Sequence, residues 1–508
     1  MQLAHNFPFF SIMLSVSVAV ICVILPRRAA KNLTFFCLST LTVFSALLLA
    51  YTLRTGESFA FAMGHFPAPF GNEISAGAFE AFMALLFCSI TLLSIAGGLR
   101  DIVDDNPESK LNLFYFMVNM ITSSMLTLIY TNDIFTAYVF IEITTIAACS
   151  LISSRPGGRT LTATVTYLIL SLIGSALVLF SLSIFYSVTG HLLFPGLQAG
   201  VAALTAGGEY AVPLFVLTGM MVAGLAVKSA LFPFHGWLPD AHASATTASS
   251  AILSGLIIKC YPILLIRMIY TVFGMDVIGS LYISNVLIFF GVAGIIFGSW
   301  RALTQRNIKR MLAYGSVSNI GIIFVAIGLN SPLGMAVAGF HIAAHAAGKA
   351  LLFTAAGGLA AVSDHKKDFD ALKGAGRRDL FAGIAFTVGA LSMIGIPLFP
   401  GFISKLVITQ AALETPFAVI VIPAVVVVST VLAGMYYVKA IVCIFSKTDG
   451  DAAPVVHGAG DHGHERTPLS LSVPYWAALG ALIVITLFLG LFSQYVLRAI
   501  EVGLAAIS

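Results

Sequence analysis

Charge is what this sequence lacks most. Of its 508 residues only 9% are Asp, Glu, Lys or Arg, against 59% hydrophobic, and mean hydropathy is +0.99. That balance excludes a soluble globular protein and leaves a chain built for a bilayer. Cysteine is scarce too: six, at positions 22, 37, 88, 149, 260 and 443, fall on different apolar runs with no CxxC pair or metal-ligand spacing. They support neither a disulfide framework nor an iron–sulfur centre and read as small apolar fillers. There is no P-loop and no GxGxxG following a strand, so the chain is not expected to run ATP or redox chemistry by itself. No cofactor and no metal centre is expected in it.

Long apolar runs are abundant instead. Stretches of membrane-crossing length, roughly 17–25 residues, lie near 7–25, 33–53, 78–98, 111–130, 132–152, 162–187, 211–237, 244–270, 282–299, 310–329, 333–358, 380–412, 418–445 and 473–498. The expectation is an all-α polytopic membrane protein of about 14 spans, with both termini on one side. No cleavage-site signature follows the first run, and Pro26-Arg27-Arg28 comes directly after it, so a retained helix is expected rather than a signal peptide. Eighteen of the 26 basic residues follow odd-numbered spans, as in Arg301, Arg306, Lys309 and Arg310 or Lys366, Lys367, Lys373, Arg377 and Arg378. Only Arg54, Arg267 and Arg498 face the other way. The positive-inside rule then makes the odd loops cytoplasmic and places both termini outside. The net charge of +4 is accordingly a topology signal and points to no nucleic-acid partner.

Five lysines remain inside the spans: Lys228, Lys259, Lys349, Lys405 and Lys439. A charge at mid-bilayer costs a few kcal/mol even on lenient scales, so such residues pair or line a wet path. Lys439 lies within two turns of the cytoplasmic end and can snorkel; Arg267 reads as an interfacial anchor. Glu142, in NDIFTAYVFIEITTIAACSLI, has no charged neighbour in sequence and must find a cation on another helix, as a structural ion pair or as a working carboxylate. Lys228 begins KSALFPFHGWLPDAH, where Pro233 and Pro239 break the helix, and Pro397 and Pro400 make a second break before Lys405. Two interrupted segments, each with a lysine and five spans apart, predict two inverted five-helix repeats, 111–270 and 282–445. Between them, HASATTASSAILSGLIIK leads to Lys259 through small hydroxyl residues, which either hold water or permit close helix packing.

The segment FHIAAHAAGKALLF carries His341, His345 and Lys349 at i, i+4 and i+8. At 3.6 residues per turn these drift only about 40° per step and form one stripe on one helix face. Histidine titrates near neutral pH, and lysine reaches that range under desolvation, so the stripe suits stepwise proton transfer.

Taken together, KSALFPFHGWLPDAHASA, the isolated Glu142, FHxxxHAxxKALLF, RNIKRMLAYGSVSNIG and GIPLFPGFISK make the chain resemble the antiporter-like subunits shared by three kinds of assembly. These are complex I (proton-translocating NADH–quinone oxidoreductase), energy-converting membrane-bound hydrogenases and Mrp-type Na+/H+ antiporters. The resemblance implies 14 helices, with repeats at the fourth to eighth and the ninth to thirteenth, around a central hydrophilic axis. It also implies roles: Glu142 and Lys228 as the paired glutamate and lysine of the first half-channel, Lys259 as the central connecting lysine, His341, His345 and Lys349 as linkers, and Lys405 as the terminal lysine. Members differ at that last position, some carrying glutamate. His457, His462 and His464, in HGAGDHGHERTP, are expected in a solvated loop.

With no energy source of its own, the chain is expected to be an H+- or Na+-translocating subunit among other membrane subunits and peripheral redox subunits, in the inner or cytoplasmic membrane of a prokaryote. The first reading is a redox-driven complex of the NADH–quinone oxidoreductase or hydrogenase type. The alternative is the large subunit of an Mrp-type antiporter. A stand-alone secondary solute transporter, the distant alternative, would need a central substrate cavity where this chain shows a string of proton-capable residues.

Overall fold

The protein is described by a computed structural model covering residues 2–66, 71–155, 157–207, 211–415, 418–447 and 473–507. His457, His462 and His464, and the expectation attached to them, lie outside the described residues.

Hydrocarbon offers a peptide group no hydrogen bond, so a chain this apolar must satisfy its backbone within helices. Twelve helices among the described residues are long and apolar enough to cross a membrane. In chain order, α1 is Phe7–Ile24, α2 Arg27–Thr55, α3 Ala78–Gly97, α4 Leu111–Tyr130, α5 Ile134–Ile152 and α6 Gly158–Thr189. Two shorter apolar helices, α7 (Ala211–Lys228) and α13 (Leu380–Ile394), run into breaks and resume as α8 (Trp237–Ser244) and α14 (Pro400–Ala412). The others are α9 (Thr247–Phe273), α10 (Ile283–Leu303), α11 (Ile308–Gly328), α12 (Pro332–Ala361), α15 (Ala418–Phe445) and α16 (Val473–Leu491). The chain is thus a multi-pass, almost entirely helical membrane protein, broken in the two segments where its prolines predict breaks.

Helix starts follow local chemistry. Asp133, Asn307, Ser331 and Asp379 cap α5, α11, α12 and α13, each accepting a backbone N–H from the first turn. The second helix begins at Arg27 rather than near residue 33, because Pro26 serves as its N-cap and Arg27, Arg28 and Lys31 form helix readily. The last apolar run divides at Phe492, and a separate helix, α17 (Ser493–Ala505), buries Val496, Ile500, Gly503 and Leu504 on one side. Between α2 and α3 an antiparallel hairpin, β1 (Phe59–Ala62) with β2 (Glu73–Ala76), pairs Phe59 with Ala76; the apolar pattern leaves that segment as a bare connection.

Three helices, α9, α11 and α12, are buried on all sides, whereas α1, α2, α6, α15 and α16 bury less than half of their apolar windows. The least apolar of the twelve, α12, is fully inside, and the most apolar, α15, exposes most of its surface. The interior helices carry polar side chains that lipid would penalise, so hydropathy follows lipid contact here. Neighbouring helices meet at glycines. A Cβ on Gly224 of α7 would stand 2.7 Å from the Gly174 carbonyl of α6, and one on Gly321 of α11 would stand 2.5 Å from the Gly291 carbonyl of α10. The hydrophilic residues gather on the three interior helices and the two broken segments.

Candidate functional site

The two breaks use the same triplet, Leu231-Phe232-Pro233 and Leu398-Phe399-Pro400. Each turns through left-handed backbone: Ala230 has φ 58° at the first, and Gly395 and Leu398 have φ 90° and 78° at the second. Non-glycine residues hold such angles only where the surroundings enforce them.

At the first break, Lys228 ends α7 and reaches α5. Its Nζ lies 3.5 Å from Glu142 Oε1 and donates to Thr145 Oγ1 at 2.6 Å, one turn further along. The lysine side chain is fully covered, while Glu142 remains 24% exposed.

The other three lysines are held by backbone carbonyls. Lys259 donates to Ser254 O inside a π-helical turn, Leu253–Ile257, which departs from the regular ladder of α9. Lys349 donates to Leu312 O at 2.7 Å and Tyr437 Oη at 3.2 Å. Lys405 donates to Ile394 O at 2.7 Å and to Thr430 Oγ1 at 3.1 Å, taking a carbonyl that the break leaves at the end of α13. Among the described residues, Lys228 is the one of these four with a carboxylate partner. The distinction is chemical. A carboxylate favours the ammonium strongly, whereas a carbonyl accepts a hydrogen bond from the charged or the neutral amine. Carbonyl-held lysines keep their positions in either protonation state.

The histidine stripe joins them. His341 Nδ1 lies 2.8 Å from the hydroxyl of Ser404, the residue before Lys405, and the His341 and His345 rings stack with centroids 6.2 Å apart. Neither ring nitrogen of His345 has a hydrogen-bond partner among the described residues. Ser254 and Ser316 share a 2.7 Å bond, and Ser316 Oγ donates to Leu312 O, the carbonyl that also holds Lys349. The structure therefore brings Lys259, Lys349, His345, His341 and Lys405 into one series across α9, α12 and α14. The Glu142–Lys228 pair stands apart, with no described hydrogen bond leading from it to Lys259; two residues beyond that lysine is the buried hydroxyl of Tyr261, which has no hydrogen-bond partner among the described residues.

Two expectations are corrected. Arg267 is no interfacial anchor: it is fully buried, donates to Glu80 Oε1 at 3.0 Å and to Thr131 O at 2.6 Å, and lies over the Phe194 ring. Lys309, counted among the loop cations, is buried in the first turn of α11 and donates to Ala245 O at 3.0 Å and Ser250 Oγ at 3.4 Å. Both lie near helix ends, where sequence cannot separate a snorkelling cation from a buried one. Lys439 is exposed, as snorkelling requires. Glu80, Thr145, His242 and Ser404 escape the sequence reading; Glu80 carries the same signal as Glu142, a lone acid in an apolar run. The hydroxyl run before Lys259 permits the close packing expected of it, with Ala248 against Gly98, and Ser250 and Ser254 bond to protein groups, Lys309 and Ser316.

The family described as NADH:quinone oxidoreductase/Mrp antiporter, TM, matches residues 131–433, a span that holds all seven residues, from Glu142 to Lys405, expected from the sequence to form a path. The chain belongs to this family. Within the NADH:quinone oxidoreductase/Mrp antiporter family, NADH-quinone oxidoreductase subunit N of Desulforudis audaxviator (strain MP104C) is 32% identical over 89% of this chain and 88% of its own length. Putative antiporter subunit mnhD2 of Staphylococcus haemolyticus (strain JCSC1435) is 25% identical over 94% of this chain and 90% of its own. Two solved structures share the fold over 100% of this chain and 98% of theirs. A chain of the membrane-bound sulfane sulfur reductase (MBS), an archaeal respiratory membrane complex, superposes with a TM-score of 0.85 at 24% identity. A chain of the Mrp complex from Dietzia sp. DQ12-45-1b does so at 0.86 and 23%.

Proposed function

We propose that this chain is the ion-translocating membrane subunit of a multisubunit, redox-driven complex of the NADH–quinone oxidoreductase or membrane-bound hydrogenase type. It moves H+, with Na+ as the alternative ion, along Glu142, Lys228, Lys259, Lys349, His345, His341 and Lys405. The observation that carries the reading is the buried series of carbonyl-held lysines and stacked histidines, with one carboxylate-paired lysine at its start. The similarity to a subunit N, at 32% identity over 89% of the chain, supports the redox-driven assembly. In this reading each broken pair counts as one crossing. That makes fourteen spans and two inverted repeats, 111–270 and 282–445, in the inner membrane of a prokaryote with both termini outside.

The mechanism is electrostatic. While Glu142 holds Lys228, the carboxylate stabilises the ammonium; when a neighbouring subunit draws the pair apart, Lys228 loses that support and releases its proton toward Lys259. From there the proton passes by Lys349 and the two imidazoles to Lys405. The partners are other membrane subunits and peripheral redox subunits, which supply the energy this chain has no means to generate.

A second reading, the large subunit of an Mrp-type Na+/H+ antiporter, is favoured by the mnhD2 relative, which matches 94% of the chain. One experiment separates the two. The intact complex is isolated in mild detergent through a tag on this chain, and its companions are identified by mass spectrometry with metal analysis. Iron-rich partners with nickel or flavin are expected; small, metal-free membrane subunits alone would move the assignment to the antiporter. In the same complex Glu142→Gln and Lys228→Ala should each abolish coupled transport with assembly intact, and wild-type transport in both would sink the mechanism.

A further inference from the structure

The lysine–histidine series lies deep in the bundle, and a recess leads toward it from the basic loops. The recess, a water-sized space of about 20 Å³, is walled by Asp101, Arg155, Thr247, Gly357 and Lys367, with Lys309 buried at its base. These residues come from five separate places: the short helix Leu99–Asp105 that follows α3, the α5–α6 loop, the start of α9, the start of α11, and the end of α12 with its following loop. Their charges are mixed. Arg155 is bonded to Asp105 at 2.9 Å, the Thr247 hydroxyl to Asp101, and burial together with Arg155 holds Lys367 down to about 8.

What lies beneath the recess is proton-capable. Lys309 Nζ donates to Ser250 Oγ at 3.4 Å, and the same hydroxyl donates to the backbone oxygen of His242. His242 is fully buried, and among the described residues neither of its ring nitrogens has a hydrogen-bond partner. Its imidazole stacks on Phe353, centroids 4.6 Å apart, within the electrostatic reach of Lys309, Lys349 and Lys259. Phe353 and Gly357 continue the i+4 stripe of His341, His345 and Lys349 along α12, and Gly357 is a wall of the recess. This stripe winds along α12, drifting about 40° per step, from His341, whose partner Ser404 precedes Lys405, to the recess, without passing Glu142 or Lys228. An unpaired buried imidazole is costly to keep.

We propose that the recess is a second cytoplasmic entry to the path, with Lys309 and Ser250 at its base and His242 as the relay into Lys349. The proposal rests on the translocation reading above and deepens it. Each step moves one proton between lone pairs and leaves no net chemistry behind. The ammonium of Lys309 gives its proton, by way of the Ser250 hydroxyl and water, to a free nitrogen of His242. The imidazolium releases its other N–H proton to the neutral amine of Lys349, and Lys309 is recharged from water at the carboxylate of Asp101.

The test uses the intact complex in inside-out membrane vesicles carrying Thr247→Cys, treated after assembly with a small, membrane-impermeant cationic thiol reagent. Labelling from the cytoplasmic face is expected to lower coupled transport at least tenfold, while the unsubstituted chain, with its six native cysteines, keeps its rate under the same reagent. His242→Gln is expected to lower transport at least tenfold in a complex that assembles normally, with Thr247→Cys still labelled in its presence. Absence of cytoplasmic labelling, full transport after complete labelling, or wild-type transport in His242→Gln would each overturn the proposal. Because the reagent acts on folded complex, a misfolded variant cannot imitate the result. Failure of the wider translocation reading is separately visible, as retained transport in Glu142→Gln and Lys228→Ala.

Discussion

A lysine bonded to a carbonyl keeps its partner whether or not it carries a proton, and that separates Lys259, Lys349 and Lys405 from Lys228. The opposite design appears at Arg267 and Glu80, whose side chains are 1% and 0% exposed and bonded at 3.0 Å, with Glu80 also accepting from its own helix start at Gly77 N. Removing one partner of a buried pair leaves an uncompensated charge and costs about 3–5 kcal/mol, whereas replacing both with apolar groups is often neutral. Arg267→Met should therefore deplete assembled complex in membranes, and the double variant Glu80→Leu/Arg267→Met should restore it, as read by blue-native gel. Equal depletion in the double variant would mean that the pair has a role besides neutralising itself. Glu142, Lys228, Lys259, His341, His345, Lys349 and Lys405 were all legible as lone charges in apolar runs. Apart from the Glu142–Lys228 pairing, which the family resemblance implies, their partners were not, because a partner such as Tyr437 for Lys349 lies 88 positions away.

Proline and glycine shape the helices and bring these side chains together. The breaks at Leu231-Phe232-Pro233 and Leu398-Phe399-Pro400 end α7 and α13 and free carbonyls at membrane depth, one of which Lys405 takes. Proline writes those breaks into the local sequence, so they could be placed in advance; the π turn that presents Ser254 O to Lys259 could not, since no local residue announces it. The close crossings are equally specific. Gly321→Val would drive a branched side chain into the Gly291 carbonyl, which a Cβ alone already approaches to 2.5 Å. Overpacking costs typically about 1–3 kcal/mol, and the thermal midpoint of the purified complex should fall by several degrees. Gly219→Ala, where a Cβ meets nothing within 4 Å, should leave it unchanged. Equal midpoints for the two variants would show that the α10–α11 crossing yields more readily than its geometry implies.

The assembled molecule has buried lysines and histidines inside an apolar shell, and the positions of its basic loops predict its sidedness. In intact cells, a cysteine at Glu57, exposed after α2, should react with an impermeant thiol reagent from outside, and one at Lys366, exposed after α12, only from the cytoplasmic face. The reverse pattern would turn the molecule over and move the recess beside Lys309 to the outer side. Membership of the NADH:quinone oxidoreductase/Mrp antiporter family was readable as a resemblance carried by motifs such as FHxxxHAxxKALLF, which are local stretches of sequence. What the amino-acid order settled by itself was a membrane bundle, its two breaks and the residues whose charges lie in the bilayer. Each follows from a cost paid within one segment, whether an unsatisfied backbone group or an ion in hydrocarbon. Folding in three dimensions settled which helices lie inside and which group holds each charge. Both α12 and α15 are apolar enough to span, and which of them packs inside depends on contacts with helices far away in sequence, which leave no mark in the run of residues itself.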